Sequence, residues 1–276
     1  MGLVGALLVI FMRYIFMSGV NPNWRALYFL TFIGGIIVTI LAIFTLKESS
    51  IYLTMKAQRA ANPEKMQKRE SFGKAMKSVF KLNNFRTIVL ILIVGILGVL
   101  GGMVARAYWE PYMSQNFTFN EVNIIYIIRY LISIPFGLMI GRINDKIGRK
   151  AGLYTTLICA PVFLILCLIT ISMGNVLITG LFYGLFIYSI WLTPTTTGTM
   201  INELTPTQYR GTVSIFSLLF AYLLIAAFTI FFAILVLWLS FEIIFIISIV
   251  PGCLIAMLIV IKKLPETKAT DLTKVE

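Results

Sequence analysis

The sequence predicts an all-α polytopic membrane protein of about eight transmembrane helices, laid out as two plus six. Three observations carry this. Of 276 residues, 59% are hydrophobic and 12% charged, with a mean hydropathy of +0.94, whereas soluble domains carry about 25% charged residues. Eight apolar stretches approach or exceed the ~20 residues needed to cross about 30 Å of hydrocarbon. Lysine and arginine gather in alternate loops only. Surface-to-volume scaling leaves a soluble fold of this size no means of burying so much apolar surface. The same composition excludes a disordered chain, a collagen and a disulfide-stapled secreted domain.

The apolar stretches are Gly2–Phe16, Trp24–Leu46, Phe85–Tyr108, Val122–Gly141, Ala151–Ser172, Val176–Met200, Thr212–Trp238 and Phe241–Ile261. Runs of this length without strand-like alternation argue for helices rather than a barrel. The first is short, and the sixth and seventh are long enough to tilt or kink. It is read as a span and not a secretory signal, because it lacks a basic leading region and a small-residue cleavage site, and Arg13 stands at its far end. Cys159, Cys167 and Cys253 fall within spans, without ligand spacing and in a chain with no histidine; they read as reduced core residues. No metal site or cofactor signature is present in the sequence.

Orientation follows from the basic residues, which stay on the cytoplasmic side. The segment Lys47–Arg86 carries ten, Arg142–Lys150 four, Asn202–Gly211 one and the tail from Lys262 four. The intervening loops hold almost none. The expectation is a multi-pass protein of the cell membrane with both termini cytoplasmic. The net charge of +12 is therefore assigned to membrane topology and not to nucleic acid.

Four regions result: two helices over 1–46, a basic cytoplasmic loop over 47–84, a six-helix bundle over 85–262 and a tail over 263–276. The loop contains Lys56, Arg59, Lys65, Lys68, Arg69, Lys74, Lys77 and Lys81, with Ile51, Met55, Met66, Phe72, Met76, Val79 and Phe80 loosely at helical spacing. Short amphipathic helices lying on anionic lipids of the inner leaflet satisfy both faces. A six-span block after a basic loop is half of a repeat architecture in which transporters pair two bundles around a midplane site. On that reading the first two spans are what remains of a preceding block.

The turn after the fourth span reads Gly141-Arg142-Ile143-Asn144-Asp145-Lys146-Ile147-Gly148-Arg149-Lys150. Gly141 and Gly148 permit a tight interhelical turn, Asp145 is suited to capping a helix N-terminus, and Arg149 and Lys150 can pair with carboxylates of neighbouring helices. The spacing is more particular than a merely basic loop requires. It resembles a cytoplasmic loop pattern of the major facilitator superfamily. Further matches follow in order: Glu203-Leu204-Thr205-Pro206-Thr207-Gln208-Tyr209-Arg210-Gly211 is similar to the E-x-x-P-x-x-x-R-G of the sugar-porter-like branch, and Pro265-Glu266-Thr267-Lys268 to its closing PETKG, with Ala269 replacing glycine. Lys47-Glu48-Ser49-Ser50 looks like a degraded PESPR. The resemblance spans the chain, numbers its spans as family helices five to twelve and so marks it as N-terminally truncated. It implies a major-facilitator-type bundle with a cytoplasmic gate, in which Asp145, Arg149, Lys150, Glu203, Arg210 and Glu266 form ion pairs that tie helix ends together when the transporter faces outward.

Charge inside a membrane is costly and points to function. Arg13 and Arg106 stand near outer span ends, where Arg13 snorkels to the interface. Arg129 lies deeper, and Tyr126, Arg129, Tyr130 and Ser133 share one helical face. This stripe either offers a cationic, hydroxyl-bearing surface to an anionic solute or holds an arginine snorkelling among tyrosines. In the sixth span, Pro194 predicts a kink. Its threonines either satisfy the freed carbonyls or, through Thr195 and Thr196, line the solute cavity. Gly95, Gly98, Gly101 and Gly102 permit close packing, and Tyr108, Trp109 and Tyr112 read as an interfacial belt.

The leading functional expectation is secondary-active transport of a small solute by alternating access. The candidate solute-binding set is Arg129, Tyr126, Tyr130, Ser133, Arg106, Thr195 and Thr196, with an organic or inorganic anion favoured over a sugar because the glutamine-rich seventh-helix pattern and the P-x-P-W run of sugar porters are absent. A transport-inactive remnant, or a subunit relying on a complementing chain, is the alternative from another class. A sugar transporter is a further one. Nothing in the sequence suggests an enzyme: there is no histidine, phosphate loop or nucleophile–base pair.

Overall fold

Every element among the described residues is an α-helix. The computed structural model describes residues 2–17, 23–45, 72–82, 84–206 and 209–267. Most of the basic loop, the Lys47–Ser50 motif and the chain from Lys268 lie outside them. Helices α1 (Gly2–Met17) and α2 (Trp24–Thr45) precede the short α3 (Phe72–Phe80). Six long helices follow: α4 (Phe85–Asn116), α5 (Phe119–Ile147), α6 (Arg149–Ser172), α7 (Val176–Leu204), α8 (Arg210–Leu235) and α9 (Phe241–Lys263).

Each of the eight apolar stretches forms a helix. Among the described residues, six helices are long and apolar enough to cross a membrane, and α5 makes a seventh if its two arms count as one. Helix α1 has 16 residues, about 24 Å at 1.5 Å per residue, short of the ~30 Å hydrocarbon thickness. The chain is a multi-pass, all-helical membrane protein.

The body is built on α4 and α7. Four glycines on α4 sit where neighbours come closest. A Cβ on Gly101 would collide with Ile249 and the Ser248 carbonyl of α9, one on Gly102 with Ile190, and one on Gly98 with Thr193. Helix α7 packs mainly against α6 and α5, and α9 against α4 and α6. At one end of this core Trp109 is fully buried, stacked on Tyr183 at 4.8 Å between ring centroids and tilted against Phe245 at 4.9 Å. Trp109 and Tyr112 are therefore core residues and not an interfacial belt.

Helix α5 opens on a capping box, in which the Thr118 backbone N–H donates to Glu121 Oε2 at 2.8 Å. A bend that the sequence did not single out lies in this helix. Arms Phe119–Gly137 and Gly141–Ile147 meet at 47°, shortly after Pro135, which removes a backbone donor and crowds the preceding turn. Helix α7 runs through Pro194 as one element. Gly141 is helical as well, so the interhelical turn is carried by Gly148 alone, at φ +98°. Gly174, at φ +67°, makes the turn at the other end of α6.

Two elements lie outside this core. Helix α1 packs on α5 and on α2, joining a two-helix unit to the six-helix body. Helix α8 touches α4, α3 and α7 and leaves most of its apolar surface uncovered. The amphipathic α3 buries Val79 and sets Phe80 against Phe216 of α8, with Lys77 and Lys81 exposed.

Candidate functional site

Three places in the molecule combine polar chemistry with a defined setting. The first is the basic end of the body, where the short α5–α6 turn brings distant motifs together. Arg149 Nη1 donates to Asp145 Oδ1 at 2.6 Å, and its Nε and Nη2 donate to Glu203 Oε1 at 3.2 and 2.9 Å. The other Glu203 oxygen accepts from the Thr267 hydroxyl at 2.6 Å. The side chains of Arg149 and Glu203 are only 12% and 14% exposed, so water screens this pair less than an ordinary surface bridge.

Glu266 acts differently. Its two oxygens accept from the backbone amides of Arg149 and Lys150 at 2.9 and 3.1 Å. These are the opening residues of α6, whose first amides lack intrahelical partners and whose dipole favours negative charge. The sequence assigned capping to Asp145, but Asp145 belongs to the last turn of α5 and serves as an ion-pair partner. At Gly148 a Cβ would stand 2.7 Å from Glu266 Oε2, so the motif glycine makes room for the capping carboxylate as well as supplying the positive φ.

The expected cluster is thus brought together except at two positions. Arg210 forms no ion pair among the described residues. Its Nε donates to the carbonyls of Asn202 and Thr205 at 3.0 and 3.1 Å, fastening the end of α7 to the start of α8. Lys150 Nζ reaches the Ile261 carbonyl of α9 at 3.4 Å.

The second place surrounds Arg129. Its guanidinium carbon lies 4.5 Å from the ring centroid of Tyr130, 4.8 Å from Tyr183 and 5.6 Å from Tyr126. Nη1 donates to the Tyr183 hydroxyl at 3.2 Å, while the buried Nε has no partner. No carboxylate pairs with Arg129 among the described residues. Aromatic faces attract a desolvated guanidinium by up to about 2 kcal/mol each. Tyr183, 54 residues away on α7, was invisible to a reading of the α5 stripe alone. Ser133 turns its hydroxyl back to the Arg129 carbonyl at 2.8 Å. Arg106 is exposed on α4 and forms no ion pair among the described residues.

The third place is a cleft of about 370 Å³ between α4, α7 and α8. Leu92, Ile96 and Val99 line one wall, and Trp191, Pro194 and Gly198 another. Its polar edge is Thr197, Asn202, Ser214, Ser217 and Tyr222, of which the buried Ser217 Oγ has no partner. Among the described residues, none that lines it is charged. Of the threonines picked from sequence, Thr196 is buried toward α5, accepting from Asn144 Nδ2 at 2.8 Å, and Thr195 is exposed and bonded to the Trp191 carbonyl. Thr197 faces the cleft in their place. The signal for the missed residues was the small or polar row Ser214, Ser217 and Ala221, which recurs at helical spacing along α8.

These motifs converge in space in the order the sequence led one to expect, and a comparison with known families agrees. The family model of the Major Facilitator Superfamily matches the chain twice, over residues 1–229 and 91–276. The chain belongs to the Major Facilitator Superfamily. Among curated proteins, none matches it significantly. As a Major Facilitator Superfamily member the chain is a transporter-type membrane protein, and its general activity is the movement of a small solute across a membrane.

Proposed function

We propose that this member is a secondary-active transporter working by alternating access, with its solute seated in the cleft between α4, α7 and α8. The cleft is the observation that carries the reading. Its ~370 Å³ falls within the size range of small-molecule pockets, and a mostly apolar wall with a few convergent polar groups is the usual character of such sites. It occupies the middle of α4 and the half of α7 that follows Trp191. The absence of charge from its lining suits a solute whose bound face is uncharged. The charge bias supports placing the basic end in the cytoplasm of a cell-membrane protein. Exposed Lys77 on α3 and Lys81 just after it support contact with anionic lipid there. The meeting of Glu203 and Glu266 at Arg149 supports the sugar-porter-like branch.

A second reading, an anionic solute, is favoured by one observation: Arg129 is intramembrane and pairs with no carboxylate among the described residues. Uptake by proteoliposomes of the full chain, with a panel of neutral polyols and small carboxylates, separates the two. Ser217→Val and Asn202→Leu each remove a polar group from the cleft edge. Each is expected to lower kcat/KM for the preferred neutral solute by up to about tenfold, the worth of one hydrogen bond. Unaltered uptake in both variants overturns the cleft assignment, and a loss confined to carboxylate uptake in Arg129→Gln selects the second reading.

A further inference from the structure

The ion pair farthest from the basic end has a different anatomy from the others. Arg13 lies on α1, and its Nη2 stands 2.5 Å from Glu110 Oε1 of α4. The same guanidinium carbon lies 5.0 Å from the ring centroid of Phe119 and 5.9 Å from that of Tyr126, both on α5. Arg13 therefore bonds to the six-helix body from the two-helix unit, and among the described residues it makes the sole ion pair between them. The sequence reading had Arg13 snorkelling to the interface, which requires no partner. A carboxylate partner and two ring faces, offered by two helices of the opposite unit, are more than snorkelling uses.

We infer that Arg13 and Glu110 form a latch that closes the Glu110 side of the transporter, with Tyr126 carrying its state to Arg129. The inference rests on the alternating-access reading. If the two units rock, their contacts at this end exist in one state and not in the other, and only such differential contacts shift a two-state equilibrium. The Arg13 side chain is 18% exposed and that of Glu110 50% exposed, so the pair is held firmly enough to bias the equilibrium and is wet enough to open. Tyr126 is shared, with Arg13 at 5.9 Å and Arg129 at 5.6 Å from its ring centroid. The Arg129 end of the chain continues into Tyr183 and the stacked Trp109. Movement of Arg13 thus alters the ring packing around the intramembrane arginine.

The test uses the full chain in liposomes with Cys159, Cys167 and Cys253 replaced by serine. Spin labels at Tyr14→Cys on α1 and Asn120→Cys on α5 report the Glu110 end, and labels at Phe44→Cys, near the far end of α2, and Ile147→Cys on α5 report the basic end. Breaking a half-exposed pair shifts a two-state ratio by up to about fivefold. Arg13→Ala and Glu110→Gln are each expected to raise the ratio of long to short distances at the Glu110 end by a factor of that size, with the opposite shift at the basic end. The charge-swapped Arg13→Glu/Glu110→Arg protein is expected to restore the parental ratio. Unchanged distances in both single variants overturn the latch, as does a swapped protein that behaves like the singles. A parent with two anticorrelated populations that ignores Arg13→Ala loses the latch and keeps alternating access. A parent with one population at both ends in every variant loses both.

Discussion

At the basic end Arg149 gathers Asp145 and Glu203 while Glu266 caps α6, and all of these residues belong to the six-helix body. At the other end Arg13 leaves α1 to meet Glu110 and the ring faces of α5. One set of charges ties a unit to itself, and the other ties two units together. Charge inside a unit contributes to that unit's integrity in every state of a transport cycle. Charge between units contributes in one state only. The gate expected from the superfamily resemblance was placed at the basic end, but among the described residues that cluster contains no contact with α1 or α2. Its described bonds join α5, α6, α7 and the segment after α9.

The difference can be broken or sharpened by substitution. Arg149→Ala leaves Glu203 mostly buried without its cation, and breaking such pairs costs about 3–5 kcal/mol. Thermal unfolding in detergent is expected to show this variant as the least stable, with inter-unit distances at the Glu110 end unchanged. A moved distance with an unmoved melting transition would reverse the assignment of roles. Gly148→Ala imposes a left-handed backbone on a residue with a Cβ and pushes on Glu266, for about 1–3 kcal/mol, read in the same melt. Glu266→Gln keeps acceptor and donor groups at the start of α6 but removes the charge opposite the helix dipole, worth about 0.3–1 kcal/mol. Asp145→Asn should be the mildest change at this end, about 0–1 kcal/mol, because its carboxylate is 69% exposed. Arg13→Ala is expected to leave the melting of the body within the same small range, its effect appearing in the distances instead.

The helices were legible because apolar runs of that length have few alternatives, and the glycine row of α4 announced a close approach that the contacts with Ile249, Ile190 and Thr193 make concrete. The charged cluster was legible as a set, since its members fall in motifs whose spacing is particular. What each member does was not. Asp145 and Glu266 are both acceptors, and only the fold brings one to the first amides of α6 and the other to the guanidinium of Arg149. Arg210 sits in a motif beside a carboxylate, yet the return of the chain after α7 offers it two carbonyls first. Trp109 looks interfacial by position, and its burial depends on Tyr183 and Phe245 from helices far along the sequence. The bend shows the same limit: α5 turns by 47° shortly after Pro135, which the sequence did not single out.

Beyond Lys263 the chain continues through Leu264, Pro265, Glu266 and Thr267, with Leu264 and Thr267 almost fully buried. These four residues lie outside any helix, yet they supply the cap of α6 and a hydroxyl to Glu203. An affinity handle or fluorescent fusion joined directly after Lys263 would strip that fastening and start a helix two hairpins upstream with bare amides. Joints of this kind belong after Thr267, and a protease that trims the chain back to α9 should loosen the body from a site it never cuts.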